Sequence, residues 1–369
     1  MKIGILTQPL QINYGGILQA YALQEVLRRM GHDVKTIDIR MFSTNKLTFR
    51  LLLSFFVSIL KKYILRKDVA IKFRKGMTKE QYLIRSSNIR PFVEANISRT
   101  SSIYSLRLLD NIQNEEFDAI VVGSDQVWIP SFLPYYMLSF TEGWNIKRIA
   151  YAASFGHSNW RISQEKTVEC IKCIKTFNAV SVREESGISL CEKYLGIEAQ
   201  LVLDPTLLLN SSDYLKIIKP TVVSSDYIFS YILDTVSSKN KIAYELSKRM
   251  GCKLVSPIGE ECGDDSIVRP AIDEWINGIA NAQFVITDSF HGTVFSLIFH
   301  KQFAVMANPQ RGLTRIESIL KLFGCEGRFL KDVEQISNVL DEKIDYGIVS
   351  KKIEELKQVS MDFLKDALN

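Results

Sequence analysis

The sequence predicts an α/β protein of two similar halves that face one another across a cleft. Three observations predict it. The first forty residues read as strand, helix, strand, which points to a parallel sheet with helices on its faces. The same alternation continues to Asp204, breaks in a polar interval at 219–226, and then restarts. Finally, 369 residues suit two domains of roughly 100–200 residues each. These are expected to be two Rossmann-like domains, an N-terminal one over 1–218 and a C-terminal one over 219–345, followed by a C-terminal helix at 346–369.

Each element has its reason. Lys2–Thr7 is a short apolar run. Gly15-Gly16 opens a helix on which Ile17, Ala20, Leu23, Leu27 and Met30 recur at helical spacing, and Gly31 is placed to end it. Val34, Ile37 and Ile39 supply the next strand. Further strands are expected at Asp118–Val122, Ile149–Ser154, Ala179–Arg183 and Gln200–Asp204, with helices near 162–178 and 185–195. After the polar interval come a strand at Tyr227–Asp234, a helix at Ser237–Met250, a strand at Lys253–Ser256 and a helix near 271–281. Strand Phe284–Asp288, a helix from about Gly292 and strand Phe303–Ala307 follow. Thr314-x-x-Glu317 reads as a capping box opening another helix, and a last amphipathic helix spans about 350–367.

One segment breaks the rhythm. Leu47–Leu65 holds thirteen apolar residues in nineteen, and Lys61, Lys62, Arg66, Lys67, Lys72, Arg74 and Lys75 follow or overlap its end. A spanning helix needs about twenty such residues, so this stretch is short for one. Two readings of 47–75 fit: a helix lying in the interface of an anionic leaflet, or a core helix with a basic, solvated exit.

Composition excludes several classes. Apolar residues make up 46% and charged residues 24%, which is globular rather than disordered. Forty-six Lys and Arg against 41 Asp and Glu give a formal charge of +5, too thin an excess to imply nucleic acid. The six cysteines do not form a disulfide scaffold, and Cys170-x-x-Cys173 has no second pair to complete a metal site. It reads as two thiols on one helix face. The first residues do not resemble a signal peptide, so a reducing cytoplasm is the expected setting.

Polar clusters fall at the carboxyl ends of predicted strands, where open α/β sheets bind ligands. Asn13-Tyr14-Gly15-Gly16 offers backbone amides to an anion, or only a tight turn. Gly123-Ser124-Asp125-Gln126-Val127-Trp128 groups a carboxylate, an amide and an indole as at a sugar-binding edge; the alternative is an Asp that caps a helix. Ser154-Phe155-Gly156-His157 is a third cluster. In Ser181-Val182-Arg183-Glu184, Arg183 ends a strand and is expected to face the cleft, where a guanidinium suits phosphate or carboxylate; a surface pair with Glu184 is the alternative. Thr287-Asp288-Ser289-Phe290-His291-Gly292-Thr293 sets a His just before a helix start, suited to bind phosphate or move a proton. The structural alternative is a capping His.

Taken together and in order, Asn13–Leu23, Val122–Trp128, Tyr151–Gly156, Ser181–Glu184, Leu203-Asp204-Pro205-Thr206 and Ile286–Thr293 resemble the polysaccharide pyruvyl transferase family, over about residues 1–325. The resemblance implies a GT-B-like fold. It also implies transfer of pyruvate from phosphoenolpyruvate onto two hydroxyls of one sugar, giving a cyclic ketal and phosphate. The acceptor would be a surface polysaccharide, capsule or exopolysaccharide, or its lipid-linked precursor, handled in the cytoplasm or at the inner face of the cell membrane. Ser289 stands where some members carry Arg, so more falls on Arg183, with Arg311 or Arg315.

For that chemistry the expected donor-binding residues are Arg183, Ser289, His291, Gly292, Thr293, Arg311 and Arg315. The expected acceptor-binding residues are Asn13, Tyr14, Gly15, Gly16, Ser124, Asp125, Gln126, Trp128 and His157. A protonated His291 is the expected general acid, Asp125 the group that handles acceptor hydroxyls, and Asp288 the orienter of His291. No step calls for a metal or a cofactor beyond phosphoenolpyruvate as co-substrate. A GT-B glycosyltransferase using a nucleotide sugar is the alternative enzyme; a membrane-bound scaffold is the non-enzymatic one.

Overall fold

The computed structural model describes residues 1–42, 56–57, 60, 77–220, 225–234, 237–257, 260–262, 266–308 and 313–369. Apart from residues 56, 57 and 60, the apolar and basic segment at 47–75 lies outside these, as does Arg311. Among the described residues no helix is long and apolar enough to cross a membrane.

The N-terminal half runs β1 (Lys2–Leu6), α1 (Tyr14–Arg29), β2 (Asp33–Thr36), α2 (Lys79–Arg85), α3 (Arg90–Asn96), β3 (Ala119–Val122), β4 (Lys147–Ala153), α4 (Gln164–Ile174), β5 (Ala179–Val182), α5 (Glu185–Leu190), β6 (Gln200–Leu201) and α6 (Ser211–Lys216). Its six strands pair in the order β2-β1-β3-β4-β5-β6, all parallel. The C-terminal half runs β7 (Tyr227–Tyr231), α7 (Ser237–Met250), β8 (Lys253–Val255), β9 (Glu260–Cys262), β10 (Ser266–Val268), α8 (Ile272–Asn281), β11 (Phe284–Thr287), α9 (Phe290–Ile298), β12 (Gln302–Met306), α10 (Leu313–Leu322), β13 (Phe329–Leu330), α11 (Ile336–Asp341) and α12 (Tyr346–Leu368). A second parallel sheet, β13-β12-β11-β7-β8, forms its centre, and β9 and β10 make a small antiparallel pair.

Helices cover both faces of a parallel sheet, so its central strands are continuous apolar runs. All of Ala119–Val122 and all of Phe284–Thr287 are buried. Helix α1 is buried along thirteen of its sixteen residues, and so its polar side chains need internal partners. Gln19 donates to Thr7 Oγ1 (2.8 Å), and Gln24 donates to Thr36 Oγ1 (3.1 Å) while accepting from the Ser98 amide (2.9 Å). These bonds fix α1 against β1 and β2, which positions its first turn.

The expected elements are present, with shifted ends. Strand β6 stops at Leu201 because Asp204 accepts from the Thr206 amide (3.1 Å) and turns the chain into a short helical turn at Pro205. Helix α9 starts at Phe290, two residues ahead of Gly292, because the Ser289 side chain caps it. The capping box expected at Thr314 is not formed. Helix α10 begins at Leu313, so Thr314 lies inside its first turn, and its hydroxyl is buried without a partner.

The halves share one core. Tyr14 of α1 stacks on Trp275 of α8 (5.5 Å between ring centroids) and donates to the Pro270 carbonyl (2.8 Å). Helix α12 returns to the first half: Tyr151 packs on Phe363, Ser360 Oγ accepts from the Leu203 amide (2.9 Å), and Lys147 donates to the Leu368 carbonyl (2.9 Å). The carboxyl ends of both sheets meet at the junction. Trp275 is fully buried between Tyr14, Tyr231 and Phe295, and its loss empties the junction from the C-terminal side. Trp275→Ala is expected to cost about 3–5 kcal/mol in urea unfolding; a loss under about 1 kcal/mol would show that this contact does not hold the halves together.

Candidate active site

The site is built on a buried charge cluster at the ends of β3, β5 and β6. Arg183, one residue past β5, donates through Nη1 to Asp204 (2.6 Å) and to Ser124 Oγ (3.1 Å), and through Nη2 to Asp125 (3.1 Å). Glu184 lies 3.9 Å from Nε. Ser124 donates to Asp204 (2.8 Å), which also accepts from Thr206 Oγ1 (2.7 Å). Phe290 lies over Arg183, 4.5 Å from ring centroid to guanidinium carbon, and seals it from above.

Asp125 marks the floor of the cleft. Its φ is +78°, a conformation that costs a non-glycine residue of order 1–3 kcal/mol. The backbone is held there because Asp125 O accepts from the Val127 amide (2.8 Å) and the Ser154 amide (3.1 Å). Its carboxylate then meets Arg183 from below and Arg315 Nη1 of the other half at 3.7 Å.

His291 comes from the first turn of α9 and crosses to α1. Its ring rests on Gly15 so closely that a Cβ there would lie 2.0 Å from Nδ1; only glycine admits the imidazole. Its Nε2 is buried, has no hydrogen-bond partner, and stands 3.8 Å from Asp204 Oδ2. Phe290 meets the ring edge to face.

The cleft beside these groups has a volume of about 380 Å³. Of the expected site residues, Asn13, Asp125, Gln126, Asp288, Ser289, His291 and Arg315 line it. Gly16 packs beside Asn13 and Asp125. Other expected residues lie elsewhere. Arg183 does not face the cleft: it is buried beneath Phe290 with its charge taken up by carboxylates. Trp128 is fully buried and spends its indole N–H on the Tyr136 carbonyl (3.2 Å), so it offers no sugar-stacking face. Tyr14 belongs to the junction, and Ser124 lies behind Asp125. Gly292 packs on Thr287, where a Cβ would come within 2.3 Å of Oγ1, and Thr293 returns its hydroxyl to the Ser289 carbonyl (3.0 Å). His157 is half-buried beside Arg161 (3.2 Å) and off the cleft wall.

Asp288 does not orient His291. It accepts from the Leu233 amide (2.7 Å), the Asp234 amide (3.2 Å), Lys239 Nζ (2.8 Å) and Asn308 Nδ2 (2.8 Å), and so ties three loops of the second half together. Sequence reasoning did not assign Gln8, Gln11, Met41, Phe132 and Leu233 to the cleft wall, where they lie; Asp204 was noted within a motif but given no role. Their alternation with apolar neighbours carries no signal beyond that of an ordinary loop. Among the described residues no group of three His, Cys, Asp or Glu side chains is arranged to hold a metal. Cys170 is buried in α4, which pushes its thiol up to about 12.

Burial and charge set the protonation states. Burial pushes Asp204 and Asp125 up, but Arg183, His291 and their other partners outweigh it, leaving Asp204 at about 2 and Asp125 below the usual range. Burial takes Arg315 down to about 10, still charged at neutral pH. His291 is pulled down to about 4 by burial, against the opposing charges of Asp204 and Asp125. The free protein therefore holds a neutral imidazole rather than the expected imidazolium.

A histidine held neutral makes stability fall on acidification. Between pH 6.5 and about 4 the unfolded chain binds a proton that the folded protein refuses, so His291 alone removes about 3 kcal/mol across that window. The two depressed aspartates act lower, losing their contribution only as the pH falls from the ordinary value towards about 2. Urea unfolding at pH 7 and pH 4.5 checks this: His291→Gln is expected to flatten the difference, and an equally steep fall in the variant would assign it elsewhere.

The model of the family described as polysaccharide pyruvyl transferase matches residues 13–310, a span that contains the charge cluster of Asp125, Arg183, Glu184 and Asp204 together with His291, while the cleft residues Gln8, Gln11 and Arg315 lie outside it. No curated protein matches the chain. Among solved structures it is similar to UDP-GlcNAc 2-epimerase from Methanocaldococcus jannaschii (TM-score 0.54, 12% identity, 94% of this chain and 93% of that chain). It is also similar to UDP-GlcNAc 2-epimerase from Neisseria meningitidis bound to UDP-GlcNAc (TM-score 0.52, 12% identity, 99% of each chain). At such identities the likeness is one of fold, the two-domain GT-B architecture. The family match, extending over most of the sequence, establishes that the chain belongs to the polysaccharide pyruvyl transferase family.

Proposed function

We propose that the protein moves pyruvate from phosphoenolpyruvate onto two hydroxyls of one sugar in a surface polysaccharide or its lipid-linked precursor, forming a cyclic ketal and releasing phosphate. The observation that carries this reading is the meeting of His291, Arg315 and Asp125 at one cleft from opposite halves of the molecule. Arg315 and the start of α9 suit the anionic donor. Asp125, ionised at neutral pH and backed by Arg183, suits an acceptor hydroxyl as hydrogen-bond acceptor. The carboxamides of Asn13 and Gln126 add neutral partners for the sugar.

The atoms balance with His291 as the proton carrier. Docking of the donor phosphate beside the neutral imidazole raises its proton affinity, and the ring takes up a proton. That proton goes to C3 of the enol, making C2 electrophilic. The first sugar hydroxyl forms a bond to C2 and gives its proton to the imidazole, which passes it to phosphate as the C2–O bond breaks. The second hydroxyl then attacks C2, closing the ring and restoring the imidazolium. The proton taken up on docking thus ends in the new methyl group, and the first hydroxyl proton leaves on phosphate. The second stays on the imidazolium, which returns it to solvent as phosphate departs and the imidazole becomes neutral again. The chemistry is complete without a metal or a further cofactor. Action at the inner face of the membrane is part of the proposal, resting on the basic and apolar segment at 47–75.

Two measurements test the reading. With phosphoenolpyruvate and a glycan acceptor, His291→Ala is expected to lower phosphate release by about 10²–10⁴-fold with folding retained. Release of UDP from a UDP-sugar, with no phosphate from phosphoenolpyruvate, would replace this reading with a glycosyltransferase. Separately, calorimetry of phosphoenolpyruvate binding in buffers of different ionisation enthalpy is expected to show uptake of up to one proton per donor, lost in His291→Gln. Binding without proton uptake would remove His291 from the donor phosphate.

A further inference from the structure

At the amino end of the first sheet, away from the cleft, lies another cavity. It sits between α4 and the loop that leads into β4. Its volume is about 510 Å³, against about 380 Å³ for the cleft, within the range that small-molecule sites occupy. Arg148 in its wall is the second residue of β4, and Ala153, the last residue of that strand, pairs with Asp125 of the cleft floor. Five residues of strand, about 16 Å, separate the two places.

The loop is built to keep one shape. Arg148 ties it down, donating through Nε to Thr141 Oγ1 (2.8 Å), through Nη2 to the carbonyls of Thr141 (2.6 Å) and Trp144 (2.9 Å), and through Nη1 to that of Ile146 (3.1 Å). Across the cavity Glu142 forms an ion pair with Lys172 of α4 (2.7 Å). Trp144 stands half-buried in the wall and also lines a smaller neighbouring cavity of about 200 Å³. Of the four tryptophans, Trp128 and Trp160 spend their indole N–H within the fold, and Trp275 is sealed in the junction. Among the described residues the Trp144 N–H has no hydrogen-bond partner, and it is not buried. The Asn145 carboxamide beside it is exposed. A carboxylate, an indole and an amide thus stand together on one short loop, the grouping expected at Gly123–Trp128, where Trp128 is buried instead.

We propose that this cavity is a carbohydrate site that holds a neutral pyranose unit away from the cleft. The apolar C–H face of such a ring fits against an indole. The hydroxyls at its edge give and accept hydrogen bonds at once, which suits the Trp144 N–H, the Asn145 carboxamide and the second oxygen of Glu142. The lining charges balance, Glu142 and Glu169 against Arg148 and Lys172, so an anion gains nothing here. A purely apolar ligand would leave the N–H and the carboxamide without partners. The unit bound at this distance is not the one that reacts; it retains a glycan on the protein and raises the local concentration of the units near it.

The indole N–H resonances of the full chain test the site. Trp144→Phe removes one of the four signals and so identifies it. Methyl β-D-glucopyranoside or methyl β-D-galactopyranoside is expected to shift the Trp144 signal saturably at millimolar concentration, and phosphoenolpyruvate is expected to leave it in place. Asn145→Ala is expected to weaken the sugar about threefold to tenfold, the worth of an amide hydrogen bond, with urea unfolding unchanged. A Trp144 signal that neither sugar moves overturns the site, and so does an affinity unchanged in Asn145→Ala. A signal moved by anilinonaphthalene sulfonate and by neither sugar assigns the cavity to an apolar partner and overturns it as well. The readout involves no turnover, so failure of the ketal reading in the phosphate assay leaves this site standing, and the reverse.

Discussion

The site depends on one buried cation. Arg183 neutralises carboxylates that arrive from the ends of three different strands, Asp125, Glu184 and Asp204, each of which would be costly to desolvate alone. Its fork reaches two of them through separate nitrogens, a geometry that a lysine ammonium does not offer. With that charge in place Asp125 tolerates a left-handed backbone and stays ionised at the floor of a cleft. Without it, the three strand ends repel one another and the floor has no fixed shape.

The second constraint is steric. The imidazole of His291 reaches the first half only because Gly15 leaves the space of a side chain empty at the start of α1. The same helix start places Asn13 on the cleft wall and Tyr14 against Trp275. Three successive residues thus do three things: one lines the cleft, one locks the junction, one admits the imidazole. Burial of that imidazole between the halves is also what keeps it neutral.

Much of this was legible in the sequence. The parallel sheets were, because strands buried on both faces are continuous apolar runs and their helices keep a separate period. The clusters at strand ends were, because open α/β sheets gather ligand groups there. The direction of a side chain at a strand end was not: Arg183 was expected in the cleft and turns instead into the floor, because Asp125 and Asp204, both remote in sequence, join Glu184 around it. Trp128 was expected to face a sugar but fills the core under β3 and β4. Asp288 neighbours His291 in sequence, yet its partners are Lys239 and Asn308, brought together only by tertiary packing. Gln8, Met41 and Phe132 sit in loops whose composition says nothing of where the other half will close over them.

Helix α12 returns the chain to the half in which it began, so the second half hangs from two neighbouring crossings rather than one. Such a paired attachment behaves like the spine of a book: it resists twisting and favours parting along a single edge. A cleft that parts in this way is open at its side. Under the function proposed above, a long glycan is then laid into it at an interior unit, with no need to be threaded from an end.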